Sequence, residues 1–398
     1  MHKTASILLL ISICLLLSGC WSKKELNDIA IVVALGIDQQ GDEYEVTVQV
    51  VNPGEISSKQ PTSGRSPVTT YSATGATLFE AIRKVTLLAP RKSYFSHLQI
   101  IVLGSELIEN GIKPALDFLS RDHEFRNDLN IIAAYETTAK DIVSILTPVE
   151  KIPANKITFS LKISEKAWGS TVTVALYELI DALHDEENSF VLSTLELLGS
   201  KEIGMSKENV DQIVVPTILK YNGLAVFKQG KIVGLLTDEE SKGYNFLTDN
   251  IKGTIEQITC PDGGNLATEI THSKTTVKGK IDNNTPKIHV IINVQQNVGE
   301  VKCVIDLTKE QTIKEINDKT SDIIKQKIEK TLHALQKKYE ADAAQFNKVL
   351  HKQEPKKWRD IKNEWTTLFP DVEVTVDVNV HTRNSGTIQN STFFPTKE

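Results

Sequence analysis

The residue whose surroundings most clearly indicate chemistry is Cys20. It follows Leu17-Ser18-Gly19 at the end of an apolar run that begins near Ala5. A basic start, a short apolar core and small residues before a break are typical of a secretory signal peptide, and this run is too short to span a bilayer. The last four residues look like a bacterial lipobox, in which the cysteine thiol is alkylated with diacylglycerol. The sequence predicts a signal peptide over residues 1–19 and lipid attachment at Cys20; a plain signal peptide with an incidental cysteine is the alternative.

Two further cysteines remain in the predicted mature chain. Cys14 leaves with the signal peptide, so Cys260 and Cys303 are the thiols not used by the lipid. Two acyl chains on Cys20 would anchor the chain firmly, because each buried CH₂ contributes about 0.8 kcal/mol. Outside the cytoplasm the two remaining cysteines can form a disulfide, but two cysteines do not make a disulfide framework, and both pairing and free thiols stay open.

The densest group of ionisable residues is Arg121-Asp122-His123-Glu124-Phe125-Arg126, just past the end of a predicted helix. One interpretation makes His123 a general base that Asp122 or Glu124 orients. The other is a solvated turn with local ion pairs, which serves the fold or contacts a partner, and we favour this second interpretation. The aromatic segment Tyr94-Phe95-Ser96-His97 leads into a strand and is more typical of a core than of a ligand site.

Sequence motifs of several enzyme classes are absent. The chain has no G-x-S-x-G, Walker, G-x-G-x-x-G or H-E-x-x-H motif. Its histidines are not at ligand spacing from a cysteine or a second histidine, so we predict no metal site and no cofactor. A net charge of −6 disfavours a nucleic-acid binder, which usually has a basic domain. We therefore expect a protein that is not an enzyme.

The first half of the chain alternates between strand and helix patterns. An apolar run at 29–37 and an alternating run at 43–51 predict a hairpin, and helical and strand patterns then alternate up to residue 146. This alternation favours a mixed sheet with packed helices. We assign residues 20–200 to an N-terminal α+β domain.

The second half ends in a long helical pattern and a strand. Short strands with turn residues between them predict a β-meander, and we assign residues 213–270 to a small middle domain. Thr308 and Gln311 form a capping box that predicts a helix to about Lys352, with some break expected along its length. A last strand completes a C-terminal α+β domain over residues 271–398. The predicted fold class is α+β, multi-domain, with mixed β-sheets, packed helices and a long helix in the C-terminal part.

The long helical pattern is also basic. Residues 309–362 contain 14 Lys and Arg against 9 Asp and Glu. On a tethered protein such a segment can face anionic lipid headgroups. The alternative, which we favour, is a solvated helix face with interspersed charges of both signs.

Ten short stretches carry a resemblance to a known family. In order they are Gly19-Cys20-Trp21, Glu25-Leu26, Ala30-Ile31-Val32, Gly36-Ile37-Asp38, Ser72-Ala73-Thr74-Gly75, Ala89-Pro90-Arg91-Lys92, Tyr94–Gln99, Arg121–Glu124, Leu224–Lys228 and Gly234-Leu235-Leu236. Together they resemble the Ger(x)C spore-germination lipoproteins, the C subunits of nutrient germinant receptors in endospore-forming bacteria. Ser22 stands where the family usually has aspartate, which leaves lipid attachment unaffected.

The resemblance implies a non-enzymatic subunit on the outer surface of the spore inner membrane. It would act beside integral-membrane subunits of the A and B types, and the assembly would respond to nutrients. The family fold is α+β in three domains. Candidates for fold-defining contacts or for docking on a partner subunit are then Tyr94, Phe95, His97, Gln99, Arg121, Asp122, His123 and Glu124.

A second hypothesis is a substrate-binding lipoprotein of a transporter. Such a protein needs two similar α/β lobes around a ligand cleft. The predicted long helix and late meander do not fit paired lobes. Neighbouring genes for two multi-span proteins, or for a permease and an ATPase, would distinguish the two hypotheses.

Overall fold

The computed structural model describes residues 29–56, 64–183, 189–260 and 263–384, so Cys20 and the predicted signal peptide lie outside the described residues. The strands are β1 Ile29–Gln40, β2 Glu43–Val51, β3 Val68–Gly75, β4 Lys92–Tyr94, β5 Ile100–Leu103, β6 Asn130–Ala134, β7 Ser189–Leu198, β8 Ile218–Lys228, β9 Lys231–Leu236, β10 Thr254–Thr259, β11 Asn265–Asp282, β12 Thr285–Val301 and β13 Glu373–Asn384. The helices are α1 Pro53–Ile56, α2 Leu78–Val85, α3 Ser105–Asn110, α4 Lys113–Arg121, α5 Ala139–Ser144, α6 Pro153–Ala167, α7 Leu176–Leu183, α8 Lys201–Gly204, α9 Asp238–Leu247, α10 Glu310–His333, α11 Phe346–Gln353, α12 Pro355–Ile361 and α13 Trp365–Leu368.

The first sheet has nine strands in the order β3-β2-β1-β5-β6-β7-β8-β9, with β4 beside the start of β1. Strands β1, β5, β6 and β7 run parallel, and antiparallel strands flank them on both sides. Ile101 and Leu103 of β5 pack in the core that includes α2, α3 and α4, whereas Ile100 and Val102 pack against α5 and α6. Helices thus cover both faces, which is why the central strands are continuous apolar runs. The predicted mixed sheet with packed helices is confirmed, and β1 and β2 form the predicted hairpin.

Asp38, near the end of β1, holds the start of α5. Its carboxylate accepts hydrogen bonds from the backbone N–H groups of Ala139 at 2.7 Å and Lys140 at 2.9 Å. Gly104 lies so close that a Cβ there would overlap Asp38 Oδ1. Burial raises the pKa of Asp38 to about 6, although the two N–H bonds act in the opposite direction.

The second sheet has the order β10-β11-β12-β13. Strands β11 and β12 form a long antiparallel hairpin whose turn places Asn283 and Asn284 at positive φ, a conformation that asparagine tolerates. The final strand β13 pairs parallel with β12, so the prediction that it completes this sheet is confirmed. Strand β12 is continuous over 17 residues, and its pairing with β13 shifts register between Gln296 and Asn297.

The segment predicted as a middle domain, residues 213–270, is divided between the two sheets. Strands β8 and β9 extend the first sheet, while β10 and the start of β11 belong to the second. The pattern of short strands did not indicate this, because strand pairing is decided by partners distant in sequence. The domain boundaries themselves stay a prediction.

The long helical pattern is interrupted, and the predicted capping box is wrong. Helix α10 begins after Lys309, and Thr308 bonds instead to Asp306 Oδ1 at 2.6 Å. The π-helical turn Ala334–Lys338 follows α10. The buried carboxylate of Asp342 then accepts hydrogen bonds from the backbone N–H groups of Phe346 at 2.9 Å and Asn347 at 2.8 Å, and these bonds fix the start of α11. The capping box that does form belongs to α9, between Thr237 and Glu240. Sequence analysis also missed α6.

Helix α9 lies between the two sheets and is buried from Ser241 to Leu247. Gly243 faces the backbone of α10, and a Cβ there would overlap Lys327 O. On the other side, Asn245 Nδ2 donates to Gly169 O at 2.9 Å and to Thr171 O at 3.0 Å. The helix therefore joins the first sheet and its helices to the second.

Cys260 and Cys303 pair as a disulfide. Their Cα atoms are 6.2 Å apart, and 43 residues separate them in sequence. Both are buried in a small apolar cluster with Leu266 and Leu307. The bond ties the end of β10 to the segment that follows β12.

Asp38 predicts a pH dependence of stability. In the unfolded chain this carboxyl titrates near pH 4, so between about pH 4 and 6 the folded protein holds a proton that the unfolded chain has lost. Stability contributed by Asp38 is present below this interval and falls by up to about 3 kcal/mol as pH rises through it. In urea unfolding, the difference in free energy of unfolding between wild type and Asp38→Asn should therefore shrink as pH rises from 4 to about 6.5. Asp42→Asn, at an exposed turn, is the control, and parallel curves for wild type and Asp38→Asn would contradict the assignment.

Candidate functional site

The two segments predicted as candidates meet at the amino-terminal ends of the parallel strands. Strand β4 pairs in parallel with residues 29–31 of β1, and the backbone N–H of Gln99 donates to Val33 O at 3.0 Å. Residues 121–124 follow α4 and lead toward β6 at the same end of the sheet. Ile29, the first described residue, lies at the same end of the sheet.

Two buried phenylalanines join the segments. The ring centroids of Phe95 and Phe125 are 4.9 Å apart, and Phe118 of α4 lies 6.0 Å from Phe125. Rings at such distances bury large apolar areas and gain further from their mutual orientation. Phe95 is thus a core residue, as its aromatic context predicts. Phe125 was not among the predicted residues, and its only signal was a single aromatic directly after four ionisable residues.

Glu124 connects three parts of the chain. Its carboxylate is 3.3 Å from Lys92 Nζ and 4.0 Å from Arg83 of α2, and its side chain is largely buried. Asp122 ends α4, and its Oδ1 accepts the backbone N–H of Glu124 at 2.9 Å. Both acids therefore set the shape of this turn.

Gln99 and Tyr94 also have structural partners. Gln99 Nε2 donates to Asn155 Oδ1 of α6 at 2.8 Å, which ties the start of β5 to that helix. The Tyr94 ring contacts the ring of His97 edge-on, with centroids 6.1 Å apart. Of this pair, His97 is exposed to solvent.

Of the predicted site residues, Arg121, His123 and His97 are exposed to solvent. The His123 side chain is 92% exposed, and its Nδ1 lies 3.9 Å from Asp122 Oδ1, too far for a hydrogen bond. The carboxylate that would orient it as a base is engaged by the turn. Arg121 pairs with Asp117 one helical turn earlier, at 2.9 Å, and projects into solvent. The geometry therefore offers surface contacts rather than an oriented acid–base pair.

Within residues 29–56, 64–183, 189–260 and 263–384, no group of three or more His, Cys, Asp or Glu side chains is arranged to hold a metal ion. The helices of the same residues include none that is long and apolar enough to cross a bilayer. The predicted site residues, in the segments Tyr94–Gln99 and Arg121–Glu124, thus form one cluster at the amino-terminal end of the first sheet.

The two kinds of residue in the cluster predict different effects on stability. Phe95→Ala should lower the free energy of unfolding by about 3–5 kcal/mol, because it leaves a cavity against Phe125. His123→Ala should change it by less than about 0.5 kcal/mol, because the side chain is solvated. Chemical denaturation of both variants checks this, and equal losses would contradict the division into core and surface residues.

Comparisons with known proteins cover nearly the whole chain. Residues 22–197 match the family described as "Spore germination protein N-terminal domain", and residues 222–386 match "Spore germination B3/ GerAC like, C-terminal". The chain is 31% identical to spore germination protein KC of Bacillus subtilis (strain 168) over 392 residues, which are 96% of this chain and 95% of that protein. It is 25% identical to spore germination protein B3 of the same organism, over 97% of this chain and 99% of the relative.

A solved structure has the same fold. The crystal structure of the GerBC protein superposes with a TM-score of 0.55 at 20% identity, covering 88% of this chain and 97% of that one. The predicted α+β class, with mixed sheets and a long helix in the C-terminal part, is thus confirmed. With its matches in order along the whole chain, this protein belongs to the Ger(x)C family of spore germination proteins.

Proposed function

We propose that this chain is the lipid-anchored, non-enzymatic C subunit of a spore nutrient germinant receptor, needed for the germination response to nutrients. The observation that carries the proposal is the 31% identity to a spore germination protein over 96% of the chain. Identity at this level, spread over both sheets, supports a shared role in germination. The proposal does not assign nutrient contact to this subunit.

In this proposal the anchor is diacylglyceryl-Cys20, and the body lies on the outer surface of the spore inner membrane. Cys20 is nine residues before Ile29, where β1 begins. A fully extended segment of that length spans about 30 Å at most, so the tether holds the amino end of the first sheet near the bilayer.

The proposed partners are integral-membrane subunits of the A and B types. Because they share the membrane with the anchor, a surface at the tethered end of the first sheet is well placed to contact them. Arg121, His123 and His97 are exposed there, while Asp122 and Glu124 keep the turn in shape. We assign the exposed three to partner contact and Phe95, Gln99, Asp122 and Glu124 to the fold.

The transporter hypothesis finds less support. A substrate-binding lipoprotein of that kind needs two similar lobes, and the two sheets have nine and four strands with different strand orders. An enzymatic role is likewise disfavoured by the His123–Asp122 geometry, in which the histidine is solvated and the carboxylate is engaged elsewhere.

The proposal predicts that Cys20→Ala spores respond like spores that lack the gene. Without the thiol, the chain cannot be acylated or retained at the membrane, so dipicolinic acid release should fail for particular nutrients. Release after a nutrient-independent trigger should stay normal in both strains. Cys14→Ala, a change within the predicted signal peptide, is the matched control and should behave as wild type. Normal release in the null strain for every nutrient would contradict the proposed role, and normal release in Cys20→Ala alone would contradict the anchor.

A second prediction concerns partner contact. The double variant Arg121→Ala/His123→Ala should slow nutrient-dependent release while the chain keeps its membrane level and its unfolding free energy. Lys278→Ala/His272→Ala removes a similar pair of side chains exposed on β11 of the second sheet and serves as control. Equal release by the two double variants would show that Arg121 and His123 do not serve as contacts.

A further inference from the structure

A short surface near the amino-terminal end of the first sheet has large apolar side chains that are unusually exposed to solvent. Leu87 is 81% exposed and Leu88 is 56% exposed, adjacent to each other in the turn after α2. Phe79 of α2 is half exposed on the same segment. Apolar side chains grouped in this way on the surface usually mark an interaction site. We call residues 79–92 the α2–β4 surface.

This surface is basic, although the chain as a whole has a net charge of −6. Residues 79–92 contain four basic side chains, Arg83, Lys84, Arg91 and Lys92, and one acidic side chain, Glu80. Lys84 pairs with Glu80 at 2.8 Å in solvent. Solvent-exposed pairs of this kind are weak and yield readily to other anions. The exposed leucines therefore lie among cations, an arrangement that suits a bilayer with anionic headgroups.

The position of the surface agrees with this occupant. Lys92 is paired with Ile29, the first described residue of β1. Leu87 is five residues from Lys92, at most about 18 Å along the chain. The same Ile29 is nine residues from Cys20, a reach of at most about 30 Å. The leucines are thus within reach of the membrane that would hold the Cys20 acyl chains.

We infer that the α2–β4 surface rests on the anionic phospholipid surface of the membrane, with Leu87 and Leu88 inserted at the headgroup level. This inference depends on the lipid anchor in the proposed function. The protein would then contact the membrane at a second place besides the anchor. Two contacts would fix the orientation of the folded body, whereas the anchor alone limits only its distance from the bilayer. Each basic residue near such a surface strengthens binding to the membrane about fivefold, which equals about 1 kcal/mol.

Two other surfaces fit a bilayer less well. The basic segment 309–362, considered above, pairs lysines with acids of neighbouring elements, as Arg83 and Lys92 pair with Glu124, but the segment differs in the burial of its apolar side chains. Its large apolar side chains are buried or partly buried along the whole range, all of which the structure describes. Ile213 and Val214 form another exposed apolar pair. They lie between β7 and β8, where residues 207–217 contain one basic and two acidic side chains, a balance that does not suit an anionic bilayer.

The test measures how close two positions of the lipidated full chain lie to the bilayer. In the mature protein Cys20 is acylated and Cys260 is paired with Cys303, so an introduced cysteine is the reactive thiol. Leu88→Cys and its control Val214→Cys are labelled with nitrobenzoxadiazole and reconstituted into vesicles of phosphatidylglycerol and phosphatidylethanolamine. Spin-labelled lipid should quench the label at residue 88 at least about fivefold more than at residue 214.

The charges are tested in the same vesicles. Lys84→Gln/Arg91→Gln, which leaves the contacts of Glu124 intact, should reduce quenching at residue 88 severalfold, as should replacement of the anionic lipid by phosphatidylcholine. Equal quenching at residues 88 and 214 in chains that co-float with vesicles would overturn the inference alone. Protection of residue 88 only when membrane subunits are co-reconstituted would overturn it in favour of a protein contact. A wild-type chain that does not co-float would refute the lipid anchor, and the inference with it.

Discussion

The arrangement of the whole molecule depends on the burial of one short helix, α9. Its residues from Ser241 to Leu247 are buried between the first sheet and the second. Gly243 lets the backbone of α10 approach closely, at a position where a helix interior would otherwise prefer alanine by about 1 kcal/mol. Asn245 binds two backbone carbonyl groups at the end of α6, and Tyr244 donates to Ala343 O at 3.1 Å. The helix therefore contacts the first sheet, α10 and the break before α11 at once.

The candidate site depends in turn on the first sheet. Parallel strands gather their amino ends at one edge, so segments 92–99 and 121–125 meet although a helix pair separates them in sequence. Phe95 and Phe125 hold the two segments together, and Glu124 adds contacts to Lys92 and Arg83. Ile29, the first described residue, lies at the same edge, where it pairs with Lys92.

Much of the fold could be predicted because local patterns and tertiary contacts agree. The β1–β2 hairpin and the last strand β13 lie where the sequence patterns predict them. Predictions failed where burial and hydrogen bonding choose among contacts that the residue spacing alone leaves open. Thr308 has the sequence of a cap, yet Asp306, two residues earlier, accepts its hydroxyl. A break in the long helix was expected, but not its place near Tyr339, before the buried Asp342 that accepts the first N–H groups of α11. Helix α6 was missed because Phe159 and Ile163 are exposed while Thr158 and Glu165 are buried, which weakens the apolar period of the helix.

Sequence alone determined the properties that short, contiguous stretches of residues carry. The family of the chain and its α+β class follow from local order and spacing, because strand and helix periods depend on neighbouring residues; the prediction of lipid attachment at Cys20 has the same local basis. Tertiary structure decided the roles of individual residues within the charged cluster. Asp122 and Glu124 became part of the turn, while Arg121 and His123 remained in solvent. Burial and partner distance set these roles, and both are properties of residues brought together from distant parts of the chain.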